Sequence, residues 1–520
     1  MSRREAQAMS PAHPAGSAAS GAQAGTPPGA AAPGRDEGRD EGRAPEELPF
    51  EPDAREVRRL TEEALERIVR YYETLPEEPT DGTEGAVELA RSLVEPPPET
   101  GRPLEELLSL VFDHAVPKAY NAAGPGYLGF VPGGGLYASA VADLVADSVN
   151  RYTGVFAAAP ALVQLETNVI RWFAEIVGYP VGRDGSRGIL TSGGSLAAFT
   201  AIVTARRERL PEDFLSGILY VSDQTHHSVA KAAVMAGFPP GNVRQVASDR
   251  HFRIRLDALA DAVAQDRRRG LRPFLVVSNA GTVNTGAVDP LEEVARFARE
   301  EGLWHHSDAA YGGFFRMTGR GREVLAGLEA ADSIVLDPHK GLFLPFGTGA
   351  LLVRDGQALR RAHTFGAHYL PGQQEDPDLM DFHLHGPELS RPYRGLRVWL
   401  PMKLYGLEAF RRALDEKIDL ARLAADAVRR LPHVRMVAEP ELSLFAFRVE
   451  PPGTSDEERD RLNREVVARV NARQRVLLTG TVLPDERFVV RICVLSFRTH
   501  RERIEMALED LEAAIRETVP

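Results

Sequence analysis

Hydrophobic positions change period several times along this chain. Val57, Leu60, Ala64, Leu65, Ile68, Val69 and Tyr72 recur at helical spacing, which predicts an amphipathic helix ending before Pro76. A proline-rich stretch, Glu95 to Glu99, sets that helix apart. With little core of its own, it is expected to pack on something large, such as a second subunit. From residue 116 to 400 short apolar runs alternate with helical stretches, the pattern of a largely parallel sheet. The predicted strands are Gly188–Thr191, Ile218–Ser222, Phe274–Ser278, Leu303–Ser307, Ser333–Leu336 and Ala350–Val353. A long helical stretch, Met402 to Leu431, leads into a smaller αβ segment. Thr499-His500-Arg501-Glu502 reads as a capping box for a last helix whose apolar face is Ile504, Leu508, Leu511 and Ile515. There is no internal repeat.

Four segments follow. Residues 1–47 are Ala/Gly/Pro-rich with a charged patch at Arg35 to Arg43, and are expected to be a disordered tail. Residues 48–115 form an N-terminal helical segment, 116–400 a large domain and 401–520 a small C-terminal α+β domain. Composition is that of a globular protein, 43% hydrophobic and 26% charged. A net charge of −12 without a basic stripe argues against a nucleic-acid partner. No apolar run reaches the roughly 20 residues a membrane span needs. Met1-Ser2-Arg3-Arg4 is followed by Ala, Gly, Pro and Ser, unlike a secretory signal. The single cysteine, Cys493, rules out an intrachain disulfide and sits in an apolar run that suggests an inert core thiol. A cytoplasmic enzyme is expected.

Several predicted strands are followed at once by residues capable of chemistry, and ligands of open α/β sheets bind at the carboxyl ends of strands. The run Ser333 to Leu336 breaks at Asp337-Pro338-His339-Lys340. A desolvated lysine there can form a Schiff base with a cofactor aldehyde, the attachment used by pyridoxal phosphate (PLP). His306-Ser307-Asp308-Ala309-Ala310-Tyr311 offers Asp308, the carboxylate a pyridinium nitrogen needs. Thr191-Ser192-Gly193-Gly194-Ser195 follows a strand and opens a helix, suiting an anion such as phosphate. In Asp223-Gln224-Thr225-His226 the histidine can stack on a cofactor ring and bond a substrate carboxylate. In Ser278 to Gly286, Thr282 can bond the cofactor or hold Asp308.

These motifs, with Ala159-Pro160, Leu165-Glu166 and Arg391-Pro392-Tyr393-Arg394, make the chain resemble the group II PLP-dependent amino-acid decarboxylases from about residue 50 onward. That family includes the aromatic-L-amino-acid and glutamate decarboxylases. The resemblance implies an α/β, fold type I PLP-dependent transferase fold (aspartate aminotransferase-like), working as a homodimer with shared active sites. It implies that Lys340 forms the internal aldimine and Asp308 pairs with the ring nitrogen. His226 would stack on one face of the ring and Ala310 pack against the other. Gly194 and Ser195 would hold the phosphate with Asp337 and His339 nearby, and Thr282 would sit beside a ring substituent. Relatives protonate the carbanion left at Cα with a tyrosine on a mobile loop. The matching stretch here is Gly366 to Gly372, which makes Tyr369 the candidate general acid. No metal is expected.

The expected reaction is decarboxylation of an L-amino acid to an amine and CO2. Glycines in Tyr127 to Gly134 and Tyr152 to Phe156 stand in several places where aromatic-specific relatives carry bulky aromatics, so the pocket is expected to be roomier or reshaped, with a lean toward aromatic or hydrophobic substrates. No arginine stands out for a side-chain carboxylate. Decarboxylation-dependent oxidation to an aldehyde is the alternative. Related aldehyde synthases often carry Phe in place of Tyr369 or Asn in place of His226, and this chain keeps both. A non-catalytic PLP-fold binding protein would need none of Lys340, Asp308 and His226.

Overall fold

The computed structural model describes residues 50–183, 185–365, 376 and 378–519. The tail 1–47 and Tyr369 lie outside these residues. The chain divides into two compact units, Met1–Arg59 and Leu60–Pro520. Of the first, the described part is residues 50–59, which begin the helix Ala54–Thr74. Both sheets belong to the second. Among the described residues, no helix is long and apolar enough to cross a membrane.

The larger sheet contains β1 (Arg187–Thr191), β2 (Gly217–Ser222), β3 (Val243–Val246), β4 (Arg272–Asn279), β5 (Trp304–Asp308), β6 (Ser333–Leu336) and β7 (Gly349–Val353). Their order is β1-β7-β6-β5-β4-β2-β3, and β7 alone runs against its neighbours. Side chains alternate between two covered faces, so the strands read as near-continuous apolar runs. Leu219 and Val221 join the main core cluster, while Ile218 and Tyr220 face the second one.

Because β1 and β6 both run opposite to β7, the carboxyl ends of β1, β2, β4, β5 and β6 share one edge of the sheet. Helices follow each of β1 and β2 at once, Gly194–Arg209 and His227–Met235.

The smaller sheet is antiparallel: β8 (Val434–Ala438), β9 (Leu444–Val449), β10 (Thr479–Val482) and β11 (Phe488–Cys493), in the order β10-β11-β9-β8. Helices Asp456–Ala472 and Arg501–Thr518 close it with a core that includes Phe445, Phe447, Val466, Val490 and Leu511. Residues 128–136 run from the smaller sheet to the segment after Lys340. Leu128 N–H donates to Leu477 O at 3.1 Å and Leu128 O accepts from Cys493 N–H at 2.9 Å, while Leu136 N–H reaches Phe343 O at 2.9 Å.

Two local expectations fail. The last helix is not capped by Thr499, whose hydroxyl donates instead to Pro125 O at 2.7 Å. The capping box is at Ser455 and Glu458, which bond each other's backbone N–H. The long helix runs Arg394–Val428 and is broken at Gly406, where φ is 73°.

Candidate active site

A cavity of about 430 Å³ opens at the shared carboxyl edge. Lys340, Asp308, His226, Gly194, Ser195, Thr282, Ala310, Asp337 and His339 all line it. Five separate strand ends therefore deliver the residues that the sequence singles out, Tyr369 excepted.

Lys340 follows β6 through a short turn started by Pro338, and its Nζ lies 2.8 Å from Asp337 Oδ2. Burial pushes its ammonium down, but Asp337 and then Asp308 outweigh that and carry it above the usual lysine value. The second oxygen of Asp337, Oδ1, is buried without a hydrogen-bond partner among the described residues. His339 donates from Nδ1 to Thr348 O at 2.5 Å and presents Nε2 3.7 Å from Asp337.

His226 caps the helix His227–Met235. Its Nδ1 accepts from Ser228 N–H at 3.3 Å and meets Ser228 Oγ at 2.7 Å. Burial, chiefly, holds this imidazole below its usual value, with Asp308 opposing. Asp308 ends β5, and its Oδ1 accepts from Ala310 N–H at 3.2 Å. Thr282 spends its hydroxyl on Thr285 Oγ1 at 2.8 Å. Behind the cavity, Asn279 Nδ2 donates to Ser222 Oγ, Thr225 Oγ1 and Asp289 Oδ2, pinning the ends of β2 and β4 together.

The glycines of the Tyr127 to Gly134 stretch do not make room. A Cβ on Gly133 would lie 2.3 Å from His339 O, and one on Gly134 would lie 2.4 Å from the Phe497 ring. They let this stretch close on the lysine turn, and Phe130 then stands at the cavity wall. Phe130 takes a left-handed backbone conformation, φ 49°, held by Thr479 Oγ1 at its N–H and by Arg491 Nη2 at its carbonyl. Of the two expectations, a roomier or a reshaped pocket, the packing at these positions favours the reshaped one.

Sequence reasoning did not single out Arg491, which is 4% exposed and has no acidic partner among the described residues. An arginine inside an apolar strand run was the available signal. Cys493 beside it is fully buried, its thiol pushed up to about 12 by that burial.

The motifs Leu165-Glu166 and Arg391-Pro392-Tyr393-Arg394 meet: Arg391 pairs with Glu166, both buried, while Arg394 grips Glu388 at 2.7 and 2.9 Å. Removing one member of such a buried pair costs about 3–5 kcal/mol. The pair fixes residues 388–394 against the helix Pro160–Val177.

These residues suit pyridoxal phosphate. The helix Gly194–Arg209 begins with no side-chain cap, so its free N–H groups can receive a phosphate. Asp308 could offer a carboxylate to a ring nitrogen and Lys340 an amine to an aldehyde.

The conserved domain of the pyridoxal-dependent decarboxylases matches residues 98–450. An aromatic-L-amino-acid decarboxylase of Bacillus atrophaeus is 33% identical over 89% of this chain and 96% of its own. A phenylacetaldehyde synthase of Arabidopsis thaliana is 25% identical over 88% and 95%. The crystal structure of Oryza sativa TDC with PLP and tryptamine superposes with a TM-score of 0.86 at 27% identity, covering 91% of this chain and all of that one. Fold and site thus define a fold type I PLP enzyme. The chain belongs to the pyridoxal-dependent decarboxylase family and is a PLP-dependent carboxy-lyase.

Proposed function

We propose that this enzyme decarboxylates an aromatic L-amino acid to its amine and CO2. The observation that carries the reading is the convergence of Lys340, Asp308 and His226 on one cavity with Phe130 at its wall. The 33% identical aromatic-L-amino-acid decarboxylase supports the substrate class.

When bound, the cofactor supplies an electron sink for the carbanion left at Cα. Lys340 would hold the cofactor through its amine, and Asp308 would sit as the carboxylate for its ring nitrogen, favouring the charged form. The Gly194 and Ser195 end of the helix binds its phosphate, with His339 and Asp337 beside it. Ala310, His226 and Thr282, which line the same cavity, would hold its ring. Neutral His226, its Nδ1 occupied by Ser228, donates from Nε2 to the substrate carboxylate. That bond would orient the carboxylate that leaves. Tyr369 returns the proton to Cα.

Two copies complete the site. Support comes from an apolar face on the helix Tyr137–Val149, where Leu144, Val145 and Val149 are left exposed by the described residues. Cytoplasmic placement is part of the same reading.

The test is product analysis by mass spectrometry after incubating full-length protein with PLP, oxygen and L-tyrosine, L-tryptophan, L-phenylalanine, L-glutamate and L-leucine. The aromatic amine is expected. An aldehyde with ammonia would move the enzyme to the oxidative branch, and an amine from glutamate or leucine alone would overturn the substrate class.

A further inference from the structure

Asp337 holds two relationships that conflict once a phosphate arrives. Its Oδ2 pairs with Lys340 Nζ at 2.8 Å. The same carboxylate lies against the uncapped start of the helix Gly194–Arg209, where a Cβ on Gly194 would be 3.2 Å from Oδ2 and 3.4 Å from Oδ1. Its Oδ1 is buried with no partner among the described residues, and the residue is 2% exposed. As long as Asp337 is anionic, Lys340 is held as an ammonium, which has no lone pair to offer an aldehyde.

We infer that Asp337 is a phosphate-triggered proton acceptor, so that Lys340 becomes reactive only when a phosphate occupies the helix end beside it. This rests on the proposed PLP reading of the cavity. A dianion at the helix end cannot share that buried corner with a second bare anion. The Lys340 proton passes to Asp337, whose unpartnered oxygen becomes an O–H that donates to the phosphate. Lys340 is left as a neutral amine. Its lone pair adds to the aldehyde carbon, its two hydrogens leave with the aldehyde oxygen as water, and a carbon–nitrogen double bond remains. The proton given up stays on Asp337.

The other groups facing Lys340 and Asp337 do not replace this acceptor. His339 Nε2 is 3.7 Å from Asp337, and burial keeps its ring below the usual value. Asp308 acts on Lys340 but more weakly than Asp337, and Cys493 is a buried neutral thiol. His226 is likewise held down by burial.

The experiment uses full-length protein stripped of cofactor. Schiff-base formation is followed by absorbance and fixed by borohydride, with peptide mass spectrometry to locate it on Lys340. The probes are PLP, pyridoxal, which lacks the phosphate, and pyridoxal with added inorganic phosphate. Wild type should capture PLP fast and pyridoxal slowly at neutral pH, and inorganic phosphate should raise the pyridoxal rate about tenfold or more. In Asp337→Asn the lysine loses a carboxylate of the kind that moves a neighbour's titration by about 1–3 pH units. That variant should capture pyridoxal without phosphate, and phosphate should no longer help. A wild-type pyridoxal rate that ignores phosphate overturns the inference, as does a phosphate response that survives in Asp337→Asn. Failure of PLP itself to modify Lys340 would overturn the PLP reading instead.

Discussion

His226 offers one nitrogen to the cavity because the other is already spent. Its Nδ1 accepts from Ser228 N–H, so the proton of the neutral ring sits on Nε2. Ser228 Oγ at 2.7 Å reinforces that tautomer. Ser228 is therefore a positioning residue. In Ser228→Ala the ring loses a donor that favours its neutral form, so it protonates more readily. We expect kcat/KM to fall about tenfold through misorientation. The acid limb of the pH profile should move to higher pH, toward the ordinary imidazole value. A drop in rate with an unmoved acid limb would argue that Ser228 only packs. The His226 position was legible because a strand run ends immediately before it. Ser228's part was not, since a serine two residues on looks like any helix-start polar residue.

Elements show a sharper division between what pattern reveals and what tertiary context decides. Ser333–Leu336 emerges with the bounds its apolar run predicts, and β1, β2, β4, β5 and β7 differ from theirs by a residue or two. These strands are covered on both faces, so every position carries the signal. β3, Val-Arg-Gln-Val at the sheet edge, lacks that signal because only Val246 is buried. The Thr499 box failed because sequence cannot reveal that the Pro125 carbonyl competes for the same hydroxyl. Arg391 and Glu166, 225 positions apart, were visible as motifs but not as a pair. The helix Tyr137–Val149 buries Ala138, Ser139, Ala142 and Ala146 on one side. Its other side leaves Leu144 55%, Val145 47% and Val149 46% exposed. Exposed apolar surface of this kind supports the proposed subunit contact. Leu144→Glu combined with Val145→Glu should convert a dimer to monomers in sedimentation equilibrium and weaken PLP retention. A dimer that survives both charges would place the subunit contact elsewhere.

Across the whole molecule, several imidazoles are folded in as neutral groups, and acid should find them. Burial, above all other causes, lowers His305 to about 3 and His306, His363 and His385 to about 4, against 6.5 when free. Above 6.5 neither the folded nor the unfolded form of these rings is charged, and the fold bears no penalty. As pH falls below 6.5 the unfolded chain takes up these protons first, so stability is lost progressively down to the folded values. Asp289 opposes one of them. Burial raises it to about 6, so the folded state gains a proton where the unfolded chain does not. Each histidine is worth several kcal/mol at the acid end, because every pH unit between its free and folded values costs about 1.4 kcal/mol. Total stabilities are roughly 5–15 kcal/mol. Urea unfolding of the holoenzyme, followed by tryptophan fluorescence, should give midpoints that are level between pH 8 and 7 and fall steeply from 6 to 5. His385→Gln should flatten that fall, because one fewer proton separates the two states. Midpoints that stay level down to pH 5 would mean the buried rings keep their charge inside the fold, by way of acceptors other than Ser278, Ser333, Thr204 and the Asp381 carbonyl that now hold them.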